Sequence, residues 1–193
     1  MTAFKILFFL LVICLCGFNT SNCLDAVKSL ILTHRDMVKR AVTDKSGFTT
    51  EEATGIVDRH NELRTSEQSS DMLNITWNSA LETNAQTHAA KCNFTHSTGE
   101  FRSNVGGFSY AGENIYASSG TSLNVTIIVD YWYSEKSDYN YDTNTCTKVC
   151  GHYTQVVWAN STAIGCGVQF CPVLDSSSMN NSYFVVCQYG PGY

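Results

Sequence analysis

The nine cysteines in this chain of 193 residues constrain its fold more than any other feature of the sequence. Thiols are sparse in reducing compartments unless they bind metal or take part in catalysis, so this number predicts an oxidised, disulfide-tied protein. The cysteines beyond residue 90 form an even set, which is consistent with three disulfides in any of several pairings. They are Cys92, Cys146, Cys150, Cys166, Cys171 and Cys187.

The N-terminus carries a single lysine, Lys5, followed by an apolar run over residues 6–16. Its length matches the core of a secretory signal peptide and is too short to span a bilayer. We therefore predict a signal peptide over residues 1–22, cleaved between residues 16 and 23, a secreted extracellular protein and no transmembrane segment. Cys23, if it survives cleavage, is expected to be unpaired or intermolecular.

Five sequons agree with an extracellular protein, and we expect some of them to be glycosylated. Their acceptors are Asn74, Asn93, Asn124, Asn160 and Asn180. The formal net charge of −5, with no basic run, argues against nucleic acid as a partner. The 44% of hydrophobic residues argue against a disordered chain and allow one packed core.

Hydrophobic periodicity predicts four helices and a small sheet. The predicted helices cover residues 24–43, a stretch after the capping box Thr49–Glu52, a stretch around 81–92, and about 124–136; the predicted antiparallel strands cover 153–158, 164–170 and 183–189. The glycine-rich stretch 97–121 is predicted to be mostly loop. This pattern indicates an α+β sandwich, with a helical N-terminal extension over 23–48 and one domain over 49–193.

Several motifs occur in a fixed order along the second part of the chain. The most specific are Cys-Gly-His-Tyr-Thr-Gln-Val-Val-Trp at 150–158 and Phe-Val-Val-Cys-Gln-Tyr-Gly-Pro-Gly at 184–192; shorter ones are His-Asn-Glu-Leu-Arg at 60–64, Gly-Glu-Asn at 112–114 and Trp-Tyr-Ser-Glu at 132–135. On these motifs the chain resembles the CAP superfamily of cysteine-rich secretory, venom allergen-like and pathogenesis-related proteins, and most of all the venom allergen-like proteins of parasitic worms. The resemblance implies a three-layer α-β-α sandwich with a small antiparallel sheet, and the pairs Cys92–Cys171, Cys146–Cys150 and Cys166–Cys187.

The resemblance also implies a central cleft that contains His96, His152, Glu113 and Glu135. Two imidazoles can bind a divalent cation such as zinc, and two carboxylates can orient them by accepting the other ring N–H. The alternative is a purely structural hydrogen-bonded network. His60 and His88 lie on apolar helix faces and are expected to be core residues, and Arg64 is expected to form an ion pair with Glu62.

Three functions remain open at this stage. Relatives of this kind bind a sterol or a fatty acid, so a lipid in an apolar groove is the first hypothesis. A surface of Trp132, Tyr133, Tyr139 and Tyr141, or the helix pair that carries Val57 and Ile128, could form that groove or serve the core. The second is a non-enzymatic recognition module for an extracellular host protein. The third is a metal-assisted hydrolase, in which Glu113 or Glu135 is the general base; because no catalytic signature is present, we expect a protein that is not an enzyme.

Overall fold

The structure, a computed structural model, describes residues 20–120 and 122–193. The chain divides into two compact units, the first ending at Val42 and the second beginning at Thr43. The apolar core of the predicted signal peptide, residues 6–16, lies outside the described residues. Within the described part of the chain, no helix combines the length and the apolar character that crossing a bilayer requires.

The first unit is built on helix α1, Thr20–Thr43, as the amphipathic pattern predicts. Several large apolar side chains of this helix are exposed, among them Leu24, Leu30, Ile31, Met37 and Val38. The segment that follows α1 belongs to the second unit. There Gly47 N donates a hydrogen bond to Val168 O, and Lys45 O accepts one from Phe170 N. The domain limits at 48 and 49 stay a prediction.

The second unit contains four helices, one 3-10 helix and eight strands among the described residues. In chain order they are α2 (Thr50–Ser66), β1 (Thr76–Trp77), α3 (Ser79–Ala89), β2 (Ser103–Val105), β3 (Phe108–Tyr110), β4 (Gly112–Ser119), α4 (Val125–Ser134), the 3-10 helix (Glu135–Asp138), β5 (Tyr139–Asn140), β6 (Thr145–Cys146), α5 (Gly151–Val156), β7 (Ala163–Val173) and β8 (Asn180–Gly190).

The central sheet has the strand order β1-β7-β8-β4. The strands β7 and β8 pair antiparallel, as predicted. Strand β4 also pairs antiparallel with β8, whereas the two-residue β1 pairs parallel with β7. Two small antiparallel pairs, β2–β3 and β5–β6, lie outside this sheet.

Helices cover both faces of the sheet. On one face, α3 buries Ala85 and Ala89 against Phe184 and Val186 of β8. On the other, α2, α4 and α5 pack together, and Trp132 of α4 donates its indole N–H to the backbone oxygen of Ile115 in β4. The predicted three-layer α-β-α sandwich is therefore confirmed.

The three predicted cysteine pairs are present in the structure. Cys92–Cys171 joins the end of α3 to β7 across a sequence separation of 79 residues. Cys166–Cys187 joins the neighbouring strands β7 and β8. Cys146–Cys150 holds the β5–β6 hairpin against the start of α5.

Two predictions of local structure are wrong. Residues 153–158 were expected as a strand, but the chain forms helix α5 over Gly151–Val156. The β-branched and aromatic residues here are overridden by tertiary contacts, because the Glu135 carboxylate accepts the free N–H groups of the first turn. The stretch 97–121 was expected to be mostly loop, but it contains β2, β3 and β4. Strand β4, Gly112–Ser119, forms in spite of its glycine and small residues because it pairs with β8.

The predicted ion pair between Arg64 and Glu62 is also wrong. Arg64 is only 1% exposed and donates to backbone oxygens on neighbouring loops. Glu62 instead accepts from Arg59 at 2.8 Å. The two residues lie on different faces of α2, since positions two apart on a helix do not face each other.

Candidate functional site

The two predicted histidines line one cavity of about 290 Å³, which lies beside the first residues of β4, the loop after α3 and the start of α5. The first imidazole belongs to that loop and the second to the first turn of α5. The lining residues are His96, Arg102, Glu113, Asn114, Val149, Gly151, His152, Gln155 and Tyr193.

His96 is oriented by Glu113, the second residue of β4. The Glu113 carboxylate accepts from His96 Nδ1 at 3.0 Å, from both the backbone N–H and the hydroxyl of Ser97, and from Gln188 Nε2. Burial opposes ionisation of this carboxyl, but the four hydrogen bonds outweigh it and lower its pKa to about 2. Glu113 is thus a fixed negative charge that selects the tautomer of His96 with the proton on Nδ1.

His152 is oriented in the same way by Glu135, the first residue of the 3-10 helix. Glu135 Oε1 accepts from His152 Nδ1 at 2.7 Å, and Oε2 accepts from the backbone N–H groups of His152 and Tyr153. The indole of Trp132 stacks on the imidazole, with ring centroids 6.3 Å apart and an angle of 17°. One carboxylate therefore caps α5 and fixes its histidine at once.

A buried hydrogen-bonded chain supports His152 from behind. Neutral His60 donates from Nδ1 to Ile56 O and accepts at Nε2 from the Tyr189 hydroxyl. The Asn114 amide donates to the oxygen of that hydroxyl and to His152 O. Complete burial lowers the pKa of His60 to about 4, with the bond to Ile56 opposing the shift and the charge of Arg64 adding to it.

This buried histidine makes the protein acid-sensitive. The folded pKa lies below the value of about 6.5 expected in the unfolded chain, so the stabilisation is complete above pH 6.5 and is lost as the pH falls towards 4. From pH 7 to pH 5 we expect a loss of about 2 kcal/mol in the free energy of unfolding from this group alone. Urea unfolding at both pH values measures it. His60→Gln removes the titrating group, so the free energy of unfolding of this variant should fall less between pH 7 and pH 5 than that of the wild type. An equal fall in both proteins would contradict the assignment to His60.

The two histidines fit a divalent cation as a pair of ligands. Both Nδ1 atoms are bonded to carboxylates, so both Nε2 atoms keep a free lone pair, and no described residue bonds to either. The ring centroids are 6.5 Å apart, whereas two imidazoles on one tetrahedral zinc have centroids roughly 5 Å apart. A shared cation would therefore require the rings to approach each other, and the His96 side chain is 52% exposed. Among the described residues no group of three or more such ligands is found, so water would complete the coordination.

The structure places the four expected site residues together with one difference. We expected Glu135 to line the cavity, but it lies behind His152 and acts through it. Sequence reasoning did not single out Arg102, Val149, Gln155 or Tyr193. Gln155 lay inside a recognised motif, whereas Arg102 and Val149 carried no local signal.

The remaining predicted residues have simpler environments. His60 and His88 are buried core residues, as expected. Of the sequon acceptors, four are exposed, namely Asn74, Asn124, Asn160 and Asn180. Asn93 is partly buried, and its Oδ1 is buried without a hydrogen-bond partner among the described residues. Glycosylation at all five stays a prediction.

Fold and site together define a small disulfide-tied α-β-α sandwich with a cleft of two histidines, each held by a glutamate. The model of the CAP family, described as the cysteine-rich secretory protein family, matches residues 57–189, and the chain belongs to this family.

Its relatives include GLIPR1-like protein 1 of Bos taurus, which is 41% identical over 137 residues, 68% of this chain and 55% of that protein. The chain thus spans about half the length of that relative. Among solved structures, venom allergen-like protein 4 of Schistosoma mansoni has a TM-score of 0.64 at 23% identity, covering 75% of this chain and 91% of that one. A structure of NaASP2 with Zn²⁺ has a TM-score of 0.57 at 26% identity, covering 76% and 83%.

Proposed function

We propose that this chain is a secreted, non-enzymatic binding protein that holds a divalent cation such as zinc at His96 and His152 and carries a lipid, a sterol or a fatty acid, in an apolar groove. One observation carries the cation site. Glu113 and Glu135 occupy Nδ1 of the two imidazoles and leave Nε2 of both for a metal at the same cavity. The similarity to NaASP2, a protein solved with Zn²⁺, supports this proposal.

The environment of the carboxylates argues against a hydrolase. A general base works best with a pKa near the operating pH, but the pKa of Glu113 is lowered to about 2 and both its oxygens accept hydrogen bonds. Both oxygens of Glu135 are also bonded, to His152 and to the start of α5. Neither carboxylate is poised to take a proton from a metal-bound water.

The interface between α2 and α4 is closed to a lipid. Ile128 is only 2% exposed, Arg59 of α2 donates to Asp130 of α4 at 2.7 Å, and a side-chain methyl of Val125 lies against Gly55. The surface of four aromatic residues that we considered is also not continuous, because Trp132 is fully buried and Tyr141 is 84% exposed. A bound lipid would therefore need another groove. Lipid extraction and mass spectrometry of the purified secreted protein test for it directly.

A recognition surface for an extracellular host protein is the second candidate. Ile127 and Tyr131 on α4 are 56% and 58% exposed, and they lie one turn apart on the same face. Large apolar side chains exposed together on a surface mark interaction sites more often than scattered ones do. Loss of binding to a host-cell extract by Tyr131→Ser, with lipid content unchanged, would favour this candidate.

Zinc titration tests the cation site. We expect His152→Ala to weaken zinc binding at least tenfold, and Glu135→Gln to weaken it by roughly 10–100-fold, because it removes the charge that orients the ligand. Zinc binding to the wild type should weaken in acid, because protons compete with the metal for the imidazole nitrogens. Isothermal titration calorimetry at two pH values measures the effect of each substitution and the effect of pH on zinc affinity. His34→Ala on α1 is the matched control. Equal zinc affinity in wild type and His152→Ala would mean that the cluster is only structural.

A further inference from the structure

A second cavity, of about 460 Å³, is lined by the first two turns of α2, by β1 and by the first turn of α3. Its volume falls in the range of ~300–1,000 Å³ that small-molecule sites occupy. It shares no lining residue with the His/Glu cleft. We call it the α2 groove and define it by Phe48, Ala53, Val57, Trp77 and Glu82.

Apolar side chains form much of the α2 groove, and four threonines also line it, namely Thr49, Thr50, Thr54 and Thr76. Ala53 and Val57 lie one turn apart on α2, about 6 Å along its axis, and form one wall. The rings of Phe48 and Trp77 also line the groove. All four residues are only partly buried, so the protein leaves this apolar surface in contact with water. An apolar ligand that covered it would gain the free energy of its burial.

One charged side chain lines the groove. Glu82 Oε2 accepts from the indole N–H of Trp77 at 2.7 Å, which fixes both side chains. Its other oxygen, Oε1, is bonded to none of the described residues. The groove therefore offers a ligand a free acceptor with negative charge. A hydroxyl group can donate to it, whereas the carboxylate of a fatty acid would be repelled at short range.

We propose that the α2 groove is the lipid site of the protein and that it selects an amphiphile with a hydroxyl head group over a fatty acid. The inference rests on the proposed lipid binding, to which it adds a place and a head-group chemistry. The apolar walls take the hydrocarbon body, and Glu82 Oε1 accepts the hydroxyl proton.

The test compares radiolabelled 1-hexadecanol with radiolabelled palmitate, which have the same chain length and differ in the head group. The delipidated secreted protein should bind 1-hexadecanol at least tenfold more tightly than palmitate. Ala53→Trp fills the groove and should abolish binding of both, whereas Ala90→Trp, at an exposed position at the end of α3, should not. Circular dichroism establishes that both variants are folded.

Glu82→Gln keeps an oxygen that accepts from Trp77 but removes the charge. It should raise palmitate affinity roughly tenfold and lower 1-hexadecanol affinity at least fivefold, because the amide NH2 that replaces Oε1 cannot accept the hydroxyl proton, while Glu100→Gln, at an exposed position, should change neither. Failure of the wild type to bind either probe overturns both the lipid function and this site. Binding that Ala53→Trp leaves intact overturns the site alone, and palmitate bound as tightly as 1-hexadecanol overturns the head-group selection.

Discussion

Arg64→Met should destabilise the protein by about 3–5 kcal/mol, a large part of the ~5–15 kcal/mol that stabilises a typical domain. The guanidinium is 1% exposed, and burial lowers its pKa to about 10, so it remains charged at neutral pH. It donates to five backbone oxygens, at the end of α5 and on two loops, those of Leu73, Val156, Trp158, Ala159 and Ser161. Methionine fills the space but leaves these buried acceptors without a donor.

Urea unfolding and the yield of secreted protein measure this effect. Arg59→Met is the matched control on the same helix, because Arg59 is 30% exposed and forms ion pairs with Glu62 and Asp130. Such exposed pairs contribute less than about 1 kcal/mol. If the two variants unfold at the same urea concentration, the buried carbonyl cluster does not hold the loops around α5.

Gly167→Ala should cost about 3 kcal/mol or more, although it adds a single methyl group. A Cβ atom at Gly167 of β7 would lie 2.3 Å from Cα and 2.4 Å from the backbone nitrogen of Gln86 in α3. Both atoms belong to the helix backbone, so α3 would have to move away from the sheet and open the core around Ala85. Gly165 makes an equally close approach to Glu82 one turn earlier.

Thermal unfolding with calorimetry measures the cost, and Gly151→Ala is the control. A Cβ atom at Gly151 meets nothing within 4 Å, and alanine is the better helix former, so the control should be neutral or slightly stabilising. Equal melting temperatures for Gly167→Ala and the wild type would contradict the close contact between α3 and β7.

Local chemistry explains which parts of the fold were predictable. Thr49 and Glu52 form the expected capping box, because both of its hydrogen bonds are made within four residues. The strands β7 and β8 carry enough β-branched and aromatic residues to be recognised. In contrast, α5 depends on Glu135, and Gly112–Ser119 becomes a strand through β8. Contacts between distant residues decide these two elements, and a local pattern cannot report them.

The same distinction holds for the site. Motif order identified His96, His152, Glu113 and Glu135, and the two carboxylates were expected to orient the imidazoles, but the second role of Glu135 at the start of α5 was not foreseen. Glu113 lines the cavity, while Glu135 acts behind His152 and caps α5. Arg64 looked like a surface ion-pair residue because sequence alone does not reveal the carbonyl groups that surround it.

X-ray absorption spectroscopy of the zinc-loaded protein at pH 7.5 tests most directly the proposal that one cation binds both histidines through Nε2. The outer shells of imidazole rings distinguish these ligands from water and carboxylate. We predict two imidazole nitrogens at about 2.0–2.1 Å, with oxygen ligands completing a tetrahedral site, and one imidazole fewer in His152→Ala. A zinc ion with no imidazole ligand, or an identical spectrum for the wild type and His152→Ala, would contradict the claim.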